Sequence, residues 1–323
     1  TPFQNIFNLK NYSKFLTMET KLWYPIQNGI LNIIDAIQED GYPITVDEYG
    51  YYMRVDMPNG TQRAIYGCDY GINKNAVIHR VFDDKIICSK MLHQAGFATP
   101  ESFLFVKSKS AYTNDSNNIS AALDFAQHLG YPLIVKPTHG LKGRWVVKIK
   151  NKQILTQYLE DSQTEEGGPF NLIIQEFISW KDVRVIYLDG QIESAYQRIA
   201  ASIVGDGKHT IQELISQKNE KAERAVISNH LANEGMTLED ILQMWEKTQY
   251  VVTANVSTGG EVEAYPWDDQ DLEFMKAIAH TTGARYFGAD ILTDGNLRDG
   301  VILELNKMPG CVGAERLEPW FAK

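Results

Sequence analysis

Residues 286–306 read YFGADILTDGNLRDGVILELN, two apolar runs of strand character separated by the turn-rich DGNLRDG. Residues two apart on a strand share a face. Glu304 and Asn306 therefore project together, and a hairpin brings Asp290 on the first run alongside them. Two carboxylates and an amide oxygen on one sheet face make a hard-oxygen set suited to Mg²⁺ that still takes ligands from phosphates. The competing reading is a polar, solvated strand face, and the choice depends on what the rest of the chain brings to it.

Upstream, residues 131–150 (YPLIVKPTHGLKGRWVVKIK) spell strand, glycine loop, strand. Lys136 closes the apolar run, where a lysine is either a snorkelling end-cap or a phosphate ligand. Gly140 and Gly143 can present backbone N–H groups to phosphate oxygens, or simply turn the chain. After a helix over 151–161 comes the apolar strand LIIQEFI (172–178), then a hairpin, VRVIYL and QIESAYQR, around Asp189-Gly190. A two-residue turn there sets Arg184 opposite Ala195, which puts Arg198 on the other face of the sheet. GDGKHTIQELI (205–215) opens a helix-rich insert reaching about residue 250.

Nearer the N-terminus, isoleucines at helical spacing predict a helix over 24–40, followed by a small meander over 44–67 with an Asn59-Gly60 turn. Residues 83–96 (DDKIICSKMLHQAG) predict a helix closed by Gly96, with Lys85 at its start. The polar stretch 107–118 is a natural lobe boundary. The mixture of strands and helices is α+β. The expected division is an N-terminal lobe over 1–82, a central lobe over 83–182 with the glycine loop, and a C-terminal lobe over 183–323 holding the insert.

With 323 residues, 44% of them hydrophobic and 22% charged, the chain has the composition of a folded protein with ample core. A net charge of −10 disfavours nucleic acid and anionic membrane as partners. Cys68, Cys88 and Cys311 are odd in number and far apart, as expected of reduced thiols in a cytoplasmic protein. No apolar run is long enough for a membrane helix, and the first residues lack a signal-peptide core. The seven histidines form no metal-binding spacing.

The order of these pieces resembles the ATP-grasp superfamily. The resemblance is carried by DKIICSKMLHQAGFATPES, YPLIVKPTHGLKGRWVV, LIIQEFISWKDVRVIYLDGQIESAYQR, VGDGKHTIQELI, NVSTGGE, and FGADI with ILELNKMPG. It is most similar to the amide-forming branch typified by cyanophycin synthetase and the ATP-grasp part of bifunctional glutathione synthetase. The resemblance implies two α/β lobes clamping ATP, preceded by a small N-terminal lobe. It also implies an ADP-forming carboxylate–amine ligase acting through an acyl phosphate on amino acids or small peptides.

In that scheme Lys85 and Lys136 look like the phosphate lysines, with Lys90 as the alternative to Lys85, and His139, Gly140 and Gly143 lie beside the phosphates. Gln175, Glu176, Phe177 and Ile178 look like the hinge strand that reads adenine, and Asp182 like the acid that accepts ribose hydroxyls. Asp290, Glu304 and Asn306 would hold two Mg²⁺, with Mn²⁺ as a substitute. Arg184 and Arg198 are similar to arginines facing phosphate or acyl-phosphate oxygens. The partners implied are small-molecule carboxylate and amine substrates and a second copy of the chain in a homodimer. The alternatives are a kinase or carboxylase half-reaction on the same fold, a ligase acting on a precursor peptide or protein, and a non-catalytic nucleotide-binding module.

Two departures from the family pattern stand out. Trp145 occupies a place in the loop where a glycine is usual, so its indole either covers the phosphates or props the loop open. Gly288 stands where D-alanine–D-alanine ligases carry an arginine two residues before the metal aspartate, so the oxyanion-stabilising cation must come from elsewhere.

Overall fold

The computed structural model describes residues 34, 37–46, 52–66, 72, 73, 75–106, 118–139, 145–164, 171–218, 224–254 and 259–309. Most of the 24–40 helix and of the 107–118 boundary, together with Gly140, Gly143, Cys68 and Cys311, lie outside these residues.

The N-terminal meander forms as its alternation predicts. Strands β1 (Ile44–Val46), β2 (Tyr52–Asp56) and β3 (Gln62–Tyr66) pair antiparallel in that order. Asn59 Oδ1 accepts the Thr61 N–H at 3.0 Å, and Gly60 takes φ +77°. The helix expected over 83–96 forms, and a second, shorter helix that the sequence reading did not name precedes it. Helix α1 (Ala76–Asp83) ends at Asp84, whose side chain accepts the N–H groups of Ile86 and Ile87 as N-cap of α2 (Lys85–Gln94). That cap fixes Lys85 as the first helical residue.

Strand β4 (Ser102–Val106), helix α3 (Ile119–Leu129), strands β5 (Leu133–Pro137) and β6 (Val147–Ile149), helix α4 (Lys152–Thr164) and strand β7 (Asn171–Glu176) follow. They build a four-stranded antiparallel sheet in the order β4-β7-β5-β6. One face packs Leu133, Val135, Ile149, Leu172 and Ile174 against Ala122, Ala126, Leu155 and Leu159 of the two helices. Strict alternation then turns Ile134 and Lys136 to the opposite face.

The second large sheet holds β8 (Lys181–Leu188), β9 (Gln191–Ile199), β12 (Glu261–Ala264), β13 (Tyr286–Thr293) and β14 (Val301–Asn306). Its order is β12-β9-β8-β13-β14. Val183, Val185, Phe287, Ala289 and Ile291 pack against α1, α2 and α7 (Asp269–Thr282) in the largest core. Even-numbered residues of β8 and β13 face away from that core. The insert, β10 (Ser202–Val204), α5 (Ile211–Lys218), α6 (Arg224–Asn233) and β11 (Lys247–Gln249), has its own core around Ile203, Leu231 and Tyr250.

VGDGKHT is the start of this insert. A Cβ on Gly205 would lie 2.2 Å from the Gln243 carbonyl oxygen, so only glycine fits. Asp206 Oδ1 accepts the N–H groups of Lys208 and His209, and Thr210 and Glu213 cap α5 reciprocally. Among the described residues no helix is long and apolar enough to cross a membrane.

Candidate active site

The free faces of the two large sheets line a cleft of about 930 Å³. From the four-stranded sheet come Ile134 and Lys136 on β5, Lys148 on β6 and Gln175 on β7, followed by Glu176, Phe177 and Ile178. From the five-stranded sheet come Asp182, Arg184, Arg198, Asp290, Glu304 and Asn306, and Lys85 enters from the start of α2. Most of the residues singled out in the sequence therefore meet in one place. His139 does not join them: it is exposed, and its Nδ1 lies 2.9 Å from Thr138 Oγ1.

The two arginines share a face, against the expectation that ideal alternation separates them. The hairpin pairs Leu188 with Gln191 and Tyr187 with Ile192, then Ile186 with Ser194, leaving Glu193 as an extra residue. This bulge shifts the register so that Arg184 pairs with Tyr196 and Asp182 with Arg198. Asp189 and Gly190 both take positive φ, 46° and 90°, which makes the tight turn that starts the register.

Asp290 and Glu304 are directly opposite across the β13–β14 pair, and Asn306 lies opposite Gly288. Asp290 is 2% exposed. Arg184 Nε donates to its Oδ1, Arg184 Nη2 to Oδ2 at 3.0 Å, and Arg198 Nη2 also approaches Oδ2 at 2.9 Å. Burial works to raise the Asp290 pKa, but Arg184 and then Arg198 hold its carboxyl well below the usual range. Arg198 also donates to Asp182 Oδ1 from Nη2 and Nε, at 2.5 and 3.1 Å. The Asp182 pKa is nevertheless pushed up, burial outweighing Arg198. Glu304 Oε2 stands 3.3 Å from Lys85 Nζ, and its Oε1 is 3.5 Å from Asn306 Nδ2.

Lys136 is 6% exposed, and burial lowers its pKa to about 8 even though Glu304 pulls the other way. A lysine this deep on a polar face is a functional candidate rather than an end-cap. Gly288 explains the missing arginine: a Cβ there would lie 2.7 Å from Pro309 Cβ and 3.3 Å from Arg184 Cδ. The bare glycine leaves room for the Arg184 stem, and the cations beside Asp290 come from neighbouring strands.

Trp145 sits at φ +62°, the left-handed conformation that glycine adopts without cost. Its indole is 38% exposed and is not among the cleft-lining side chains, whereas Val146 is. A covering role for the ring receives no support here.

Sequence reasoning missed further cleft residues, Lys148, His230, Glu234 and Lys247 among them. Lys148 pairs across the β5–β6 ladder with the cleft-facing Ile134 and could have been found by alternation; its Nζ lies 3.9 Å from the Phe177 ring centroid. His230, Glu234 and Lys247 come from the insert, whose position nothing local announces.

As metal donors, Asp290, Glu304 and Asn306 fit a hard dication in atom type and in sharing one face. Among the described residues no three His, Cys, Asp or Glu side chains gather around one point, so the amide and a ligand's own oxygens would have to complete the set. A dication would also have to compete with Arg184 and Arg198 for Asp290.

Residues 82–210 match the RimK-like ATP-grasp domain family. A cyanophycin synthetase of Crocosphaera subtropica is 29% identical over 205 residues, covering 56% of this chain and 23% of that protein. The glutathione biosynthesis bifunctional protein GshAB of Streptococcus thermophilus is 26% identical over 284 residues, covering 80% of this chain and 35% of that protein. The chain thus spans well under half the length of both. The crystal structure of a bifunctional glutathione synthetase from Pasteurella multocida superposes with a TM-score of 0.53 at 17% identity, over 88% of this chain and 41% of that one. The family match runs through the strands that build one wall of the cleft, so residues 82–210 are similar to the RimK-like ATP-grasp domain, and the chain shares the fold of that synthetase.

Proposed function

We propose that this chain is an ATP-dependent, ADP-forming carboxylate–amine ligase, with amino acids or small peptides as substrates. The observation that carries this reading is the buried meeting of Lys136, Lys85, Arg184 and Arg198 with Asp290, Glu304 and Asn306 between two sheets. A triphosphate and an acyl phosphate are both dense in negative charge, and preorganised cations in a water-poor cleft stabilise charge moving between them. Lys136 and Lys85 bind phosphate oxygens. Arg184 and Arg198, exchanging part of their hold on Asp290, face the oxygens of the acyl phosphate. Gln175 to Ile178 hold the base along the hinge, and Asp182 lies near the ribose.

Asp290, Glu304 and Asn306 would hold Mg²⁺, or Mn²⁺ in its place, which when bound neutralises charge on the triphosphate. The chain's own residues position the carboxylate, exclude water and orient the amine, so no covalent protein nucleophile is needed. A nucleotide-binding module without catalysis is the second reading, favoured by the complete pairing of Asp290 with arginines.

The test is ADP release against panels of amino acids and dipeptides, singly and in pairs. ADP that requires both an acid and an amine, with amide seen by mass spectrometry, supports the ligase. ADP formed equally well with the acid alone, with no amide, overturns it. The absence of any ADP over ATP binding favours the module.

A further inference from the structure

A second cavity, of about 540 Å³, lies outside the cleft and is lined by Asn73, Ala76, His79, Arg80, Asp83 and Lys307. Ala76, Arg80 and Asp83 are four and three residues apart, so they share one stripe of α1. Lys307 comes from the chain just after β14. The end of this strand separates the two cavities: Glu304, Asn306 and Met308 line the cleft, whereas Lys307 turns to the α1 side.

The pocket carries Arg80 and Lys307 against a single carboxylate, Asp83. Its positive balance stands out on a chain of net charge −10. Lys307 Nζ lies 2.5 Å from Asp83 Oδ2, while Arg80 is exposed and has no ion-pair partner among the described residues. One exposed arginine alone is ordinarily just solvated. This one shares a concave pocket with a second cation, and the pocket's volume lies within the range of small-molecule sites, about 300–1,000 Å³.

The walls are fixed before any ligand arrives. Asn73 Oδ1 accepts the N–H groups of Arg285 and Tyr286 at 2.8 and 3.1 Å, and its Nδ2 donates to the Tyr286 carbonyl. Helix α1 is capped by Asn75 and anchored through Ile78 and Phe82 in the largest core. Little backbone ordering therefore opposes binding. A guanidinium fork matches the paired oxygens of a carboxylate or a phosphate, and a lysine beside it adds a point charge that Asp83 already holds in place.

We propose that this pocket is a second binding site, separate from the cleft, for a small molecule carrying a carboxylate or phosphate group, which Arg80 and Lys307 hold. The proposal does not depend on the nucleotide reading of the cleft.

The experiment is calorimetric titration of the wild-type chain, Arg80→Glu and Arg80→Lys with inorganic phosphate and with glutarate, at constant ionic strength. The wild type should bind at least one of the two. Phosphate bound more tightly identifies a phosphate ligand, and glutarate bound more tightly a carboxylate ligand. The cleft also carries cations, so only the binding that Arg80→Glu removes belongs to this pocket. That variant should lose at least about tenfold in affinity, the worth of one charge-assisted bond. Arg80→Lys, which keeps the charge and loses the fork, should fall between the two. No binding of either anion by the wild type at about 10 mM overturns the proposal. So does an affinity unchanged in Arg80→Glu, and so does equal weakening in both variants, which would reflect a disturbed helix rather than a lost charge.

Discussion

Arg198 Nη2 lies 2.5 Å from Asp182 Oδ1 and 2.9 Å from Asp290 Oδ2, so one guanidinium on β9 holds carboxylates from two other strands. Removing one partner of a buried ion network strands the others without compensation. Arg198→Ala should therefore lower stability by about 3–5 kcal/mol in urea unfolding as well as abolish ADP formation. A midpoint equal to the wild type's would mean that the network contributes nothing to the fold.

Lys136 gives a pH signature. Its folded pKa of about 8 lies below the 10.5 of an unperturbed lysine. Between those values the unfolded chain binds the extra proton, so stability from this group rises with pH, and its full cost is present below pH 8. Lys136→Met should raise the stability of the ligand-free protein, by on the order of 3 kcal/mol below pH 8, with the gain fading toward pH 10.5. The same substitution should weaken ATP binding strongly. A gain that does not vary with pH would contradict the depressed pKa, and a wild-type affinity would remove Lys136 from the phosphate site.

Glu304 faces Asp290 across the strand pair and Lys85 at 3.3 Å. Glu304→Gln keeps the shape and removes one charge from the donor set. Turnover should fall at least about a hundredfold, with the fold retained by circular dichroism and no rescue by added Mg²⁺. Near-normal turnover at saturating Mg²⁺ would show that the donor set lies elsewhere.

The sheet faces were legible because alternation is a local property: LIVKP, LELN and the β13 run each declare which side chains lie together. The common face of Arg184 and Arg198 was not, since a single inserted residue at Glu193 reverses parity and nothing in QIESAYQR marks it. The division of 76–94 into two helices turns on Asp84, which reads equally well as a first-turn acid or as a cap. The insert's contribution was hidden for another reason. His230 and Glu234 reach the cleft through long-range packing of α6 beside β6, which no pattern within the insert encodes.

Trp145 permits a comparison that separates backbone from ring. Trp145→Gly and Trp145→Ala both delete the indole, but only glycine adopts φ +62° freely. The glycine variant should be more stable than the alanine variant by about 1 kcal/mol. Because the indole does not line the cleft, the ratio of ADP to amide product should be the same in both variants and in the wild type. A rise in futile hydrolysis common to both variants would restore the ring as a cover.

Seven cations and five carboxylates, counted among the described residues, line the cleft of a chain whose net charge is −10. An anion approaching from afar is repelled, and feels attraction only within about 10 Å of the mouth, the screening distance in ordinary salt. A compact polyanion crosses that thin shell as a unit and is held inside. A long one, such as a nucleic-acid strand, keeps most of its length in the repulsive outer field, so on the proposed nucleotide reading the cleft would select phosphates by size as well as by chemistry.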